Sequence, residues 1–351
     1  MPAALYRVRN RSHGALSLGS DPSRIRAIPG EKIFYLQLAD APHLVMDVLQ
    51  WSRHYRCFPG QGGFDLAEFT QHVLAAGYEG PLSLEVFNDV FRQADPERMA
   101  VDAMRSLLLL EEATGVTTIT PPAALRGYAF VELAVRPEDG PDVERLLVAM
   151  GFRHAGQHRT KAVQLWRHGR THILVNHAEH DGPSPRLSAI AVESGDPVRS
   201  ARRAEQLLAP LLPRDRGPQE ADLSAVAAPD GTSVFFCRTD AVDADSWLAD
   251  FLTAGSPGDG AVADFAGIDH VALSQPFDYF DEAALFYRSV LGLELQPGQD
   301  LAAPDGIVRS RAARSANRRR RSVSLRARES KIPSGPTRSW LSRGSSPSTD
   351  R

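Results

Sequence analysis

Apolar and polar positions along residues 31–115 alternate between two kinds of element. Two short apolar runs, "KIFYLQLAD" and "LSLEVF", are typical of buried strands. Two longer stretches, "FDLAEFTQHVLAAGYEG" and "ADPERMAVDAMRSLLLLEEATG", have the spacing of amphipathic helices, and Asp65 and Asp95 are their expected N-caps. Alternating strands and helices predict a parallel sheet or part of a β/α barrel within residues 1–115.

The pattern changes after a polar, proline-bearing stretch at residues 116–126, which we interpret as a linker. A unit of one strand, one helix and further strands begins at "YAFVELAV" and restarts at "RLSAIAVES" and at "GIDHVALS". A pattern that restarts every 60–80 residues or so is an internal repeat. It predicts a first domain at residues 127–240 and the start of a second at residues 265–308, built from units that pair to close a curved sheet.

Charge is unevenly distributed along the 351 residues. The Arg/Ser-rich residues 309–351 have a balance of +11, whereas the whole chain is −3, so residues 1–308 carry −14. The alternatives for this tail are a basic arm for nucleic acid or anionic lipid and a disordered polar segment, and its composition favours the disordered segment. The acidic body argues against a nucleic-acid partner.

Several features of the sequence predict the cellular compartment of the protein. It has no apolar run of about 18 residues that could span a membrane, and its first residues have no signal-peptide core. The two cysteines, Cys57 and Cys237, lie far apart in the sequence, which indicates a reducing environment. We therefore expect a cytoplasmic protein with no membrane partner.

A carboxylate inside an apolar strand is the first candidate for chemistry. Glu85 lies between apolar neighbours in "LSLEVF", and burial of such a group costs several kcal/mol unless it is paired or bound to a cation. Gln37 lies inside the other strand of this region. Two hypotheses stay open: both side chains hold a divalent cation, or Glu85 pairs with an arginine such as Arg56.

The loop "WSRHYRCFPGQGGFD" follows a strand of the expected barrel and supplies Ser52, Arg53, His54 and Arg56. Active sites of β/α barrels lie at the carboxyl ends of their strands, and arginine there can hold a substrate carboxylate through two hydrogen bonds. The "GQGG" segment has no Lys-Ser/Thr after it, which excludes a P-loop. We expect its glycines to bend the chain.

Histidines supply the remaining candidates. His270, in "GIDHVAL", lies on a first strand of a repeat, which suits a site of two histidines and one carboxylate for iron. The equivalent position of the first repeat is Phe130, so that repeat is expected to be metal-free. His172, His177 and His180 lack a carboxylate-rich partner strand, and we interpret them as surface residues.

Three stretches carry a resemblance to a known family: "IRAIPGEKIFYLQLADAP", "LQWSRHYRCFPGQGGFDL" and "GYEGPLSLEVFNDVFRQADP". They closely resemble bacterial 3-dehydroshikimate dehydratases, in which a xylose-isomerase-like TIM barrel is fused to a region similar to 4-hydroxyphenylpyruvate dioxygenase. The resemblance implies an α/β fold plus an α+β fold: the C-terminal part of a TIM-like barrel, followed by vicinal-oxygen-chelate βαβββ modules. It covers residues 20–308.

The resemblance also implies an activity, which is dehydration of 3-dehydroshikimate to protocatechuate. Gln37 and Glu85 fall on two of the four metal ligands of the barrel, Ser52 and Arg56 fall in the substrate-binding loop, and His270 falls on the first ligand of the dioxygenase-like site. The implied cofactors are Mg²⁺, Mn²⁺ or Co²⁺ in the barrel, and Fe²⁺ or Mg²⁺ in the dioxygenase-like region. No catalytic base is implied among these residues.

Departures from the family pattern lower the expected activity. No aspartate precedes Asp21, where the family has a metal-binding aspartate, and a whole barrel needs about 250 residues. We therefore expect a piece of a larger enzyme, truncated at both ends, with negligible dehydratase activity. Two alternatives are an Fe(II) oxygenase like 4-hydroxyphenylpyruvate dioxygenase and a non-catalytic module that binds a small molecule or assembles a homo-oligomer.

Overall fold

The structure, a computed structural model, describes residues 8–11, 21–178, 182–214, 216–239, 246–253, 265–303, 306–315 and 322–328. The strands are β1 (Val8–Arg11), β2 (Ile33–Leu38), β3 (Leu82–Leu84), β4 (Leu125–Ala134), β5 (Arg153–His158), β6 (Val163–His168), β7 (Thr171–Asn176), β8 (Arg186–Ser194), β9 (Ala225–Ala227), β10 (Ser233–Cys237), β11 (Phe251–Thr253), β12 (His270–Pro276), β13 (Glu294–Leu295), β14 (Gln299–Ala303), β15 (Gly306–Arg314) and β16 (Ser322–Arg328). The α-helices are α1 (Val48–His54), α2 (Leu66–Ala75), α3 (Pro96–Thr114), α4 (Gly140–Ala149), α5 (Pro197–Gln206) and α6 (Phe280–Ser289). Short 3₁₀ helices cover Pro22–Ala27, Gly30–Lys32, Pro137–Asp139, Trp247–Asp250 and Phe277–Tyr279.

The first region is a parallel three-stranded sheet, β1-β2-β3, packed against helices. The expected helix caps are confirmed, because Asp65 accepts from the backbone of Glu68 and Asp95 accepts from that of Arg98. Leu36 and Leu38 of β2 pack with Phe69 of α2 in a buried core. Parallel strands with helical crossovers are the repeating unit of a β/α barrel.

The second region is an eight-stranded sheet that joins two units of similar order. Each unit begins with a strand that pairs in parallel with a later strand of its own unit: β4 with β7, and β8 with β10. The two first strands, β4 and β8, pair antiparallel in the middle of the sheet. The repeat expected from the sequence is therefore confirmed as βαβββ-like units. β4 begins at Leu125, within the stretch assigned to the linker.

A third unit follows, and it is longer than the sequence predicted. β12 pairs in parallel with β16, which pairs antiparallel with β15, and α6 lies between the first strand and the rest. The prediction that this unit stops at residue 308 is wrong, and so is disorder throughout residues 309–351. β15 and β16 extend the unit to Arg328; the residues after it lie outside the described part of the chain.

Arginine-rich composition concealed the strand β15. Its residues alternate between two faces, and Ala313 is completely buried. Arg309 lies on the same face as Ala313, pairs with Asp281 of α6, and stacks on the ring of Phe280 at 4.8 Å from the ring centre. A long arginine side chain can therefore cover apolar residues of a helix. A strand that packs in this way is not detected from the pattern of apolar residues in the sequence.

α3 connects the barrel region to the second and third units. Arg98 of α3 pairs with Glu282 of α6 at 2.9 Å, and Glu112 of α3 accepts two hydrogen bonds from Arg203 of α5. Arg203 also donates to the backbone oxygen of Ser289 at 2.8 Å. These buried and half-buried contacts fix α3 against its neighbours.

In the part of the chain that the structure describes, no helix is long and apolar enough to cross a membrane.

Asp102 lies at the centre of this interface. Burial raises the pKa of its carboxyl from an ordinary 3.8 to about 7; Arg105 opposes this rise, whereas Glu282 and Asp281 of α6 add to it. Its Oδ2 accepts a hydrogen bond of 2.6 Å from the Gln61 side chain, and Arg105 lies 3.8 Å from its Oδ1. The folded chain thus holds this proton more tightly than the unfolded chain does.

We predict that Asp102 makes stability fall as pH rises. Between pH 4 and 7 or so the folded state binds the extra proton, so the free energy of unfolding decreases over this window by a few kcal/mol or less and then levels off. Asp102→Asn cannot ionise and should lack this component. Urea unfolding at several pH values measures it. Parallel curves for the two proteins from pH 5 to pH 8 would contradict the prediction.

Candidate functional site

The candidate site lies at the carboxyl ends of β2 and β3. Gln37 of β2 is the neighbour of Ser83 in β3, and the backbone nitrogen of Glu85 donates to the oxygen of Leu38 at 2.9 Å. This parallel register sets Glu85 opposite Ala39, so Gln37 and Glu85 lie on the same face, one step apart. The structure therefore brings together the two expected barrel ligands.

The Gln37 side chain has the features of a metal ligand. It is buried, and its Oε1 has no hydrogen-bond partner among the described residues. A buried carbonyl oxygen without a partner costs free energy, because it has lost its hydrogen bonds to water. An amide oxygen is also a ligand that Mg²⁺ and Mn²⁺ accept. On this observation Gln37 fits a divalent cation.

Glu85 forms the ion pair that the sequence left open as its alternative. Arg56 Nη1 donates to Glu85 Oε2 at 3.2 Å and to the backbone oxygen of Glu85 at 2.9 Å. The guanidinium also lies over the ring of Phe87, 5.0 Å from its centre. The positive charge of Arg56 thus balances the negative charge of the carboxylate, and its hydrogen bond orients the carboxylate. A role for Glu85 as a metal ligand stays a prediction.

Ser52 and Arg56, the expected substrate-binding residues, lie together beside Glu85. Ser52 belongs to α1, which Asp47 caps through the backbone nitrogens of Leu49 and Gln50. Arg56 Nη2 donates to Ser52 Oγ at 2.6 Å. The helix therefore places the hydroxyl of Ser52 beside the guanidinium of Arg56. Hydrogen bonds connect Ser52 to Arg56 and Arg56 to Glu85. Their contact with a substrate stays a prediction.

Asp40 is a residue that the sequence analysis missed. It lies two residues beyond β2, is almost completely buried, and accepts from the backbone nitrogens of Ala41, Gly60, Gly62 and Phe64 at 2.8–3.1 Å. Burial raises the pKa of this carboxyl, and the four hydrogen bonds oppose that rise. The signal in the sequence was an aspartate directly after a strand, together with a glycine-rich loop.

The structure explains why glycines occupy the "GQGG" segment. A Cβ at Gly62 would lie 2.3 Å from Oδ1 of Asp40, and Gly60 has φ +85°. Only glycine permits both the close approach and the left-handed backbone. The expectation that these glycines bend the chain therefore acquires a cause: the loop of residues 58–64 wraps around one carboxylate.

His270 lies apart from this site. Its side chain is about half exposed, and its Nδ1 lies 3.1 Å from Asp269. β12 buries Val271, Leu273 and Gln275, so His270 lies on the opposite, open face of the strand. Within the described ranges, no three His, Cys, Asp or Glu side chains come close enough to hold a metal ion.

In the first unit an aromatic ring, that of Phe130, lies at the position that corresponds to His270. That ring is buried and packs against Trp247 at 4.8 Å between ring centres. The surface interpretation of the nearby histidines is wrong for His172, which is buried against Trp247, with its Nδ1 3.1 Å from the backbone oxygen of Ala129. His177 is half-buried, and His180 lies outside the described residues.

Two family models match the chain, and they divide it as the fold does. A model described as xylose isomerase-like TIM barrel matches residues 13–110. A model described as hydroxyphenylpyruvate dioxygenase, HPPD, N-terminal, matches residues 119–236. The chain therefore joins a TIM-barrel region to a dioxygenase-like region, which confirms the fold class expected from the sequence. Both folds are consistent with a divalent cation.

Relatives of known function match over most of the chain. It is 41% identical over 325 residues to the 3-dehydroshikimate dehydratases of Pseudomonas putida and Pseudomonas aeruginosa, with 87% of this chain and 51% of each relative covered. A solved xylose isomerase-like TIM barrel/4-hydroxyphenylpyruvate dioxygenase fusion protein superposes with a TM-score of 0.77 at 38% identity, covering 91% of this chain and 53% of that protein. The chain thus spans about half the length of the curated relatives it matches.

We predict that the loop depends on the ionised Asp40. Asp40→Asn keeps the shape but replaces one acceptor oxygen by a donor that faces backbone N–H groups, so we expect a loss of about 2–4 kcal/mol in the free energy of unfolding. Asp47→Asn is the matched control, because asparagine caps an exposed helix as well as aspartate does. Urea denaturation measures both. Equal, small losses in the two variants would contradict this role for Asp40.

Proposed function

We propose that the barrel region is part of a lyase that dehydrates 3-dehydroshikimate to protocatechuate with a divalent cation. The observation that carries the proposal is the buried Oε1 of Gln37, which has no hydrogen-bond partner among the described residues and lies on the face it shares with Glu85. The identity to two 3-dehydroshikimate dehydratases supports the choice of substrate. Mg²⁺, Mn²⁺ and Co²⁺ are the proposed metals.

In this proposal each residue has a distinct task. Gln37 and Glu85 would hold the cation, which when bound polarises the ketone of the substrate and stabilises the enolate formed by proton loss. Arg56 orients the Glu85 carboxylate through Nη1, and Ser52 supports the guanidinium from α1. Ser52 and Arg56 would also contact the substrate, whose carboxylate is the natural partner of an arginine.

We predict that Gln37 and Glu85 determine Mn²⁺ binding. Gln37→Ala and Glu85→Gln should each raise the Kd for Mn²⁺ by at least about tenfold, because each removes a ligand atom. The control is Glu79→Gln, which changes an exposed carboxylate outside the site. Electron paramagnetic resonance of free Mn²⁺ measures binding. Equal affinity in all three variants would place the bound Mn²⁺ elsewhere on the chain and contradict the site.

The substrate is tested separately from the metal. We expect 3-dehydroshikimate to bind the Mn²⁺-loaded chain and to bind at least about tenfold more weakly to Ser52→Ala. Binding is the decisive measurement, because it tests the site separately from turnover. Protocatechuate formation, followed by its ultraviolet absorbance, would support the proposed reaction. Absence of any substrate binding to the Mn²⁺-loaded chain would overturn the proposed function.

A second candidate is an Fe(II) oxygenase that acts on 4-hydroxyphenylpyruvate, since a dioxygenase-like region covers residues 119–236. The exposed His270, on the open face of β12, is its candidate ligand for Fe²⁺ or Mg²⁺. Oxygen uptake with this substrate and Fe²⁺ distinguishes the two activities, because dehydration consumes no oxygen. Uptake that His270→Ala abolishes would favour the oxygenase.

Location and assembly complete the proposal. Both cysteines, Cys57 and Cys237, are buried thiols, as a reducing, cytoplasmic location would allow. The partner we propose is a small molecule. Assembly of the chain into a homo-oligomer stays a prediction, as does a purely ligand-binding role for the repeats.

A further inference from the structure

The loop of residues 58–64 lies against the third βαβββ unit as well as against the barrel region. Arg288 of α6 donates from Nη1 to the backbone oxygen of Gly60 at 2.8 Å. A Cβ at Gly60 would lie 3.0 Å from that Nη1, 3.6 Å from a methyl of Leu285 and 3.7 Å from a methyl of Leu109. The tip of the loop is therefore seated between α6 and α3.

A second anchor holds the next residue of the loop. Gln61 is buried; its Nε2 donates to Asp102 Oδ2 of α3 at 2.6 Å, and its Oε1 accepts from the backbone nitrogen of Phe58 at 3.0 Å. Among the contacts of the loop are side chains from three different parts of the chain: Asp40 after β2, Asp102 of α3 and Arg288 of α6. Only the last of these belongs to the third βαβββ unit.

The loop continues directly into the candidate site. Cys57 and Asp40 exchange two backbone hydrogen bonds, of 2.8 and 2.9 Å, and Arg56 precedes Cys57. Arg56, whose guanidinium orients Glu85, therefore lies two residues before the start of the loop. Glycines at positions 60, 62 and 63 leave this segment many backbone states when it is unattached, so an external attachment has a large effect on its order.

We propose that the third βαβββ unit positions the barrel loop through Arg288. In this inference α6 supports the loop tip, and Arg288 is a positioning residue that acts through Gly60 and not by touching substrate. The inference rests on the contacts of the loop and is independent of the reaction assigned to the barrel. It gives the dioxygenase-like region a role that needs no metal or catalysis of its own.

Amide hydrogen exchange of the intact chain tests this role without an activity assay. The amides of Gly60, Gly62 and Phe64, which donate to Asp40, should exchange about tenfold faster in Arg288→Ala, because the loop opens more often. Arg288→Lys keeps a donor at this position and should restore part of the protection. Peptides from β8 and from α3 report whether the whole chain has loosened.

The matched control is Arg199→Ala. Arg199 Nε donates to the backbone oxygen of Pro121 at 2.9 Å, so this variant removes the same kind of bond at a distance from the loop. Faster loop exchange in Arg288→Ala alone, with β8 and α3 unchanged, supports the proposal. Unchanged loop exchange in Arg288→Ala overturns it. Equal acceleration in both variants also overturns it, because the loop would then respond to general loosening.

Discussion

The buried carboxylate of Asp40 is the interaction on which the candidate site depends. Four backbone N–H groups converge on one charge that burial disfavours, so the loop of residues 58–64 and the end of β2 are held in one arrangement. Gln37 lies three residues before Asp40, and Arg56 lies four residues before Gly60. A binding site needs rigid supports for its side chains, and here the support is a carboxylate held by four backbone N–H groups, two of them from glycines.

The barrel region does not complete this arrangement alone. α3 contributes Asp102, whose pKa is raised because its carboxyl is buried away from water. α6 contributes Arg288 from the other end of the chain. The shared core contains residues of all three βαβββ units, from Tyr128 to Ala313. Two regions with separate family relatives are therefore joined through packed helices and buried polar groups, which limits how independently the site can move.

The sequence predicted the helices and strands well where the spacing of apolar residues and the capping residues indicate the same boundaries. Asp65 and Asp95 begin their helices as expected, and the repeats restart where the strands begin. β15 was missed because its inward positions are arginine and alanine, which carry no apolar signal. Asp40 was missed because its partners are backbone groups. The sequence allows Glu85 either a cation or Arg56 as its partner, but it does not reveal that Arg56 lies 3.2 Å from the carboxylate.

The most direct test of the central claim is the position of a bound cation. Crystals of the chain soaked in Mn²⁺ give an anomalous signal that locates the ion independently of any activity. The account predicts one peak bonded to Oε1 of Gln37, with a carboxylate oxygen of Glu85 as a second ligand. Absence of a peak there, with Glu85 still bound to Arg56 and the Gln37 side chain turned to another partner, would contradict the account.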